Sequence, residues 1–107
     1  MAWLLIIIAG LFEVAMAYSL KLSKGFSVLV PSVSFAVFAV LSFGLLSLGL
    51  RHLEVGSAYA VWTGIGAVGT AVLGILVLGE NASPLKIASI LLILAGVVGL
   101  NLAGGGH

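Results

Sequence analysis

Four runs of about twenty apolar residues, parted by short polar breaks, take up almost all of this 107-residue chain. A helix needs roughly 20 mostly apolar residues to cross the bilayer core. The first run extends from about Ala2 to Leu20 and stops at Lys21-Leu22-Ser23-Lys24-Gly25. The second, from about Val28 to Leu50, stops at Arg51-His52-Leu53-Glu54. The third, from about Gly56 to Leu78, ends on Gly79-Glu80-Asn81. The fourth starts near Ser83-Pro84, where proline suits a first helical turn, and ends near Leu102. Gly104 to His107 read as a flexible tail. Barrel strands would alternate apolar and polar residues, whereas Leu4 to Ala9 and Ile90 to Ala95 are apolar all round. The expectation is an all-α integral membrane protein, a single domain over residues 1–107 with four transmembrane helices.

Composition closes off other classes. Charged residues are 7% of the chain, against about 25% in soluble domains. Mean hydropathy is +1.40. A net charge of +1 offers no footprint for DNA or RNA, so no nucleic-acid partner is expected. With no cysteine, disulfides, thiol catalysis and cysteine metal sites drop out. The Gly-x-Gly at Gly64 to Gly66 lies in a span and lacks a following Lys-Ser/Thr, so it is no phosphate loop. No metal, cofactor or enzymatic site is read from the residues. A cleaved signal peptide is not expected either. The start Met-Ala-Trp lacks a basic stretch, and Glu13 interrupts the apolar run. Lys21, Lys24 and Lys86 share one side against Arg51 on the other, a slight lean of loops one and three to the cytoplasm. So weak a bias is compatible with insertion in both orientations.

Six of the seven charged side chains lie at or near span ends, where they reach water. Glu13 does not. It is 11 residues beyond Ala2, or about 16 Å at 1.5 Å per residue. That is near the middle of a hydrocarbon core of roughly 30 Å. A carboxylate there costs about 3 kcal/mol on insertion scales and is a functional-site hypothesis by default. Low dielectric disfavours its charged form. A proton or an organic cation can each neutralise it, but not both at once. A site that reorients only when neutralised would therefore exchange one for the other.

Helical spacing puts Ile6, Ala9, Gly10, Met16, Ala17 and Leu20 on the face of Glu13. Of these, Ala9, Gly10, Met16 and Ala17 are expected to line the pocket, small residues leaving room and Met16 adapting to its contents. Tyr59 and Trp62 share a face of the third helix and suit a cation by charge–π attraction. Ser42 offers a hydrogen bond near the site. Gly64 and Gly66 are expected to let the third helix bend. Trp3 is assigned to the membrane interface and Tyr18 to the periphery. Four helices make a thin wall, so an oligomer is expected. Ser89 and Gly96, seven apart on the fourth helix, are its expected seam.

The chain resembles the small multidrug resistance transporters along essentially its whole length. The matching segments are Phe12-Glu13-Val14, Leu20-Lys21 with Gly25-Phe26, Pro31-Ser32, Gly56 through Gly66, Ala95-Gly96-Val97 and Leu100-Asn101-Leu102. The resemblance implies an antiparallel, dual-topology homodimer, multi-pass in the bacterial inner membrane, that exchanges protons for small organic cations. Some members of the family pair as heterodimers. It implies that Glu13 from both copies binds cation and proton beside Tyr59 and Trp62, and that Gly96 lies at the seam. Gly10, Ser42 and Trp62 through Ala67 look like the guanidinium-exporting branch. That branch carries Trp in place of Met16 and Lys in place of Asn101. Asn101-Leu102 looks like the branch that exports quaternary ammonium and other lipophilic cations. On those two departures the sequence reads as a broad exporter. A guanidinium-selective exporter is the alternative, and a structural membrane assembly partner or a proton-carrying ring subunit the more distant ones.

Overall fold

The computed structural model describes residues 1–104. The expected tail residues 105–107 lie outside the described ones, and Gly104 is the last residue of a helix. Each apolar run forms one helix: α1 (Ala2–Leu22), α2 (Leu29–Gly49), α3 (Val55–Leu76) and α4 (Pro84–Gly104). All four are long and apolar enough to cross a membrane. Helices are the form such runs must take, because lipid offers the backbone no hydrogen-bond partners and a helix satisfies its own.

The breaks stop the helices by specific bonds. Ser23 is fully buried after α1 and gathers the first turn around itself. Its Oγ donates to the Leu20 carbonyl at 2.7 Å and accepts from the Phe26 N–H at 3.1 Å. Its carbonyl accepts the N–H groups of Ser27 and Val28 at 2.9 and 3.0 Å. The turn passes through Lys24, Gly25 and Phe26 in the left-handed region (φ 50°, 73° and 67°). That conformation costs a non-glycine residue about 1–2 kcal/mol. At the other loop α3 stops two residues short of its apolar limit at Leu78. Gly79 turns left-handed (φ 71°), and the Glu80 N–H reaches back to the Gly74 carbonyl at 2.9 Å.

Short loops make sequential helices run in opposite directions, so α1 and α3 point the same way. Side by side, the helices lie in the order α2, α1, α3, α4. The result is a slab measuring 42 × 34 × 17 Å. Its two ends differ. At one end the core closes on Ile6, Ala9, Leu46, Leu53, Ala58, Val61 and Trp62, with Val97 and Leu100 packed against them. These come from the first half of α1 and α3, the second half of α2 and α4 and, for Leu53, the loop between α2 and α3. Trp3 packs on this core too, and its Nε1 is buried with no hydrogen-bond partner among the described residues. Towards the other end the helices part, and a cavity opens between α1 and α3.

Candidate functional site

Glu13 lies where the closed half of α1 gives way to the open half. Above it Met16, Ala17, Leu20 and Lys21 follow at helical spacing and line a cavity of about 570 Å³. The facing wall is α3, through Thr63, Gly66, Ala67, Thr70 and Gly74. The Glu13 carboxylate rests against the α3 backbone at Gly66. A Cβ at that position would run into Glu13 Oε1, Cδ and Cγ. Oε1 is buried and, among the described residues, has no hydrogen-bond partner. An acceptor withdrawn from solvent and left unbonded costs about 1–3 kcal/mol, more for a charged group. The carboxylate is therefore held in a place where a donor would be strongly favoured.

Below Glu13 the geometry is fixed. Ser42 on α2 is fully buried and bridges two helices. Its Oγ donates to the Ala9 carbonyl at 2.6 Å and accepts the Trp62 Nε1–H at 2.9 Å. Trp62, 4% exposed, also packs on Phe43 and Tyr59, with ring centroids 5.4 and 5.2 Å away. Tyr59 is 52% exposed. Of the expected pocket residues, the structure brings Met16 and Ala17 to the cavity with Glu13. Ala9, Gly10 and Ser42 lie instead in the closed half, where Gly10 lets α3 approach so closely that a Cβ would stand 2.7 Å from Ile65 Cγ2. Trp62 belongs to the closed half, with Tyr59 exposed beside it, and neither is among the residues lining this cavity.

α3 runs unbroken through Gly64 and Gly66. Each glycine is accounted for by a close contact: Gly64 meets Val97 of α4, and Gly66 meets Glu13. Ser89 and Gly96 are both exposed on α4, and among the described residues nothing lies within 4 Å of where a Gly96 Cβ would be. Sequence reasoning missed the rest of the cavity wall. Thr63, Ala67, Thr70 and Gly74 recur at helical spacing as a stripe of small and hydroxyl-bearing residues, which was the signal available. Tyr18, expected at the periphery, lines the cavity, as does Phe35 of α2, which also holds the edge of Phe26 at 5.4 Å.

Comparison with known proteins agrees with this architecture. Residues 1–93 match the family described as Small Multidrug Resistance protein. A guanidinium exporter of Yersinia pseudotuberculosis is 56% identical over 103 residues, which is 96% of this chain and 99% of that one. Guanidinium exporters of Escherichia coli and Salmonella typhimurium are 50% and 52% identical, over 96% of this chain and 98% of theirs.

Proposed function

Because the chain belongs to the small multidrug resistance family, whose members are exporters of the bacterial inner membrane, we propose that it exports guanidinium-type cations in exchange for protons at Glu13. The observation that carries this reading is the high identity, over nearly the whole chain, to proteins named guanidinium exporters. The chemistry of the site supports it. A carboxylate accepts two parallel N–H bonds from a planar guanidinium, and the buried, unbonded Oε1 of Glu13 is an acceptor lacking such donors. A quaternary ammonium ion has no N–H to give. The guanidinium reading therefore stands ahead of the broad quaternary ammonium reading that Met16 and Asn101 suggested.

Exchange follows from competition. Proton and cation each neutralise Glu13, and each excludes the other. A carboxylate left charged in the low-dielectric interior is costly to carry across, so the site reorients only when one of them is bound. The working unit is a pair of antiparallel copies. A slab 17 Å thick cannot enclose a site by itself, and α4 leaves Ser89 and Gly96 uncovered as a seam. Tyr59, exposed in the single chain, borders the cation in the assembled pair, with Trp62 packed behind it. Met16 supports a second feature: in place of a rigid Trp it gives a yielding wall, so substituted guanidines pass as well.

The test is exchange by reconstituted protein at one fixed proton gradient. Guanidinium, a substituted guanidine and a tetra-alkylammonium ion are compared. Guanidinium and its substituted form are expected to drive proton movement, and Glu13→Gln to abolish it. Transport of the tetra-alkylammonium ion without guanidinium overturns the substrate assignment. Coupled exchange that persists in Glu13→Gln overturns the mechanism.

A further inference from the structure

The cavity that ends at Glu13 carries a second carboxylate at its other end. Glu80 follows α3 at the point where the chain turns over the cavity, and both carboxylates line the same space. Glu80 is placed there by the turn itself. Left-handed Gly79 reverses the chain, and the Glu80 N–H closes on the Gly74 carbonyl at 2.9 Å. The side chain then lies back along α3, where a Cβ on Gly74 would strike its Oε1. Gly74 is thus a seat cut for the Glu80 carboxylate, as Gly66 is for Glu13. Eight residues part Gly66 from Gly74, about 12 Å along a helix. The same interval on α1 leads from Glu13 to Lys21, which lines the same cavity as Glu80.

We propose that Glu80 is the entrance residue of the transport path: its carboxylate draws the small organic cation into the mouth of the cavity and offsets the repulsion of Lys21, from where the cation passes to Glu13. The inference rests on the export reading above and deepens it. With Lys21 alone, the mouth would repel every cationic cargo. With Glu80 seated on Gly74, the mouth carries one charge of each sign, and cargo entering it meets a carboxylate. Glu80 is exposed, so it acts through a field that salt screens over about 10 Å at 0.1 M. Glu80 therefore governs how readily the cation arrives, not how the proton is exchanged.

The experiment measures guanidinium-driven proton movement by the full-length protein in liposomes, across guanidinium concentration, at low and high ionic strength. In Glu80→Gln, KM is expected to rise about threefold to tenfold at low salt while the maximal rate holds. The wild-type rise of KM with salt is expected to flatten in that variant. Gly74→Ala keeps the charge but evicts it from its seat, in a helix that alanine favours, and is expected to raise KM in the same direction. A KM and salt dependence in Glu80→Gln equal to those of the wild type overturn the proposal alone. Wild-type protein that moves no guanidinium overturns both this and the export reading. A Gly74→Ala protein that keeps wild-type KM overturns the seating of Glu80.

Discussion

Gly66 and Glu13 form a single device at the residue scale. The carboxylate occupies the space that a side chain on α3 would fill, so its position depends on an atom that is missing. Gly66→Ala is expected to leave the protein folded, since alanine favours helix by about 1 kcal/mol, and to displace the carboxylate. Cation-driven proton movement should fall at least about tenfold, because binding groups misplaced by an ångström lose that much. Exchange assays on protein of unchanged thermal stability check this. Ser42 is a second point of leverage. Ser42→Ala leaves the Trp62 indole N–H buried with nothing to bond, at a cost of about 1–3 kcal/mol. A lower melting temperature in detergent and a shifted tryptophan emission are the expected readouts.

Each of α1 and α3 is two half-helices with different tasks. The first half of each packs a core and the second half lines a cavity, without any break in either helix. The division is made by side-chain size and polarity along one face. Ile6 and Ala9 give way to Met16 and Ala17 on α1, and Val61 and Trp62 to Ala67 and Thr70 on α3. Between α3 and α4 the spacing is set by Gly64, where a Cβ would meet Val97 Cγ2. Gly64→Ala is expected to push α4 outward and cost about 1–3 kcal/mol, the usual penalty for overpacking. Thermal denaturation of the purified protein measures it, and an unchanged midpoint would show that Val97 rotates away freely. Membrane length and apolar content marked all four helices from the sequence. The half-and-half division was not legible, because it depends on which neighbour each face meets.

The whole molecule is a thin slab with one outer helix barely covered. α4 packs mainly on α3, and no residue of its membrane-spanning stretch is buried. If two copies join along α4, a large side chain at Gly96 disturbs the pair and spares the single chain, since open space surrounds that position. Gly96→Leu is expected to lose the dimer in cross-linking or sizing experiments while keeping its helix content by circular dichroism. The competition proposed at Glu13 also has a pH signature. Lowering pH adds the competing proton, so apparent affinity for guanidinium should weaken as pH falls. The limiting slope is about tenfold per pH unit for each proton exchanged. Affinity that strengthens or holds steady with acidification would sink the competition.

The order of residues was enough to set the class of protein and the four helices, and to single out Glu13 as the candidate site residue. Those follow from solvent alone: twenty apolar residues span lipid as helix, and one acid among them is costly enough to mark a candidate site. What Glu13 faces was decided only by the packing. Lateral order of the helices put Gly66 against it and Thr63 and Thr70 in its wall, and sent Ala9, Gly10 and Ser42 into the core. Helical spacing within one run says which residues share a face, and it is silent on which neighbouring helix that face will touch. For the same reason Glu80, a loop residue in the sequence, came to share a cavity with an acid in the middle of the first helix only once α1 and α3 had packed side by side.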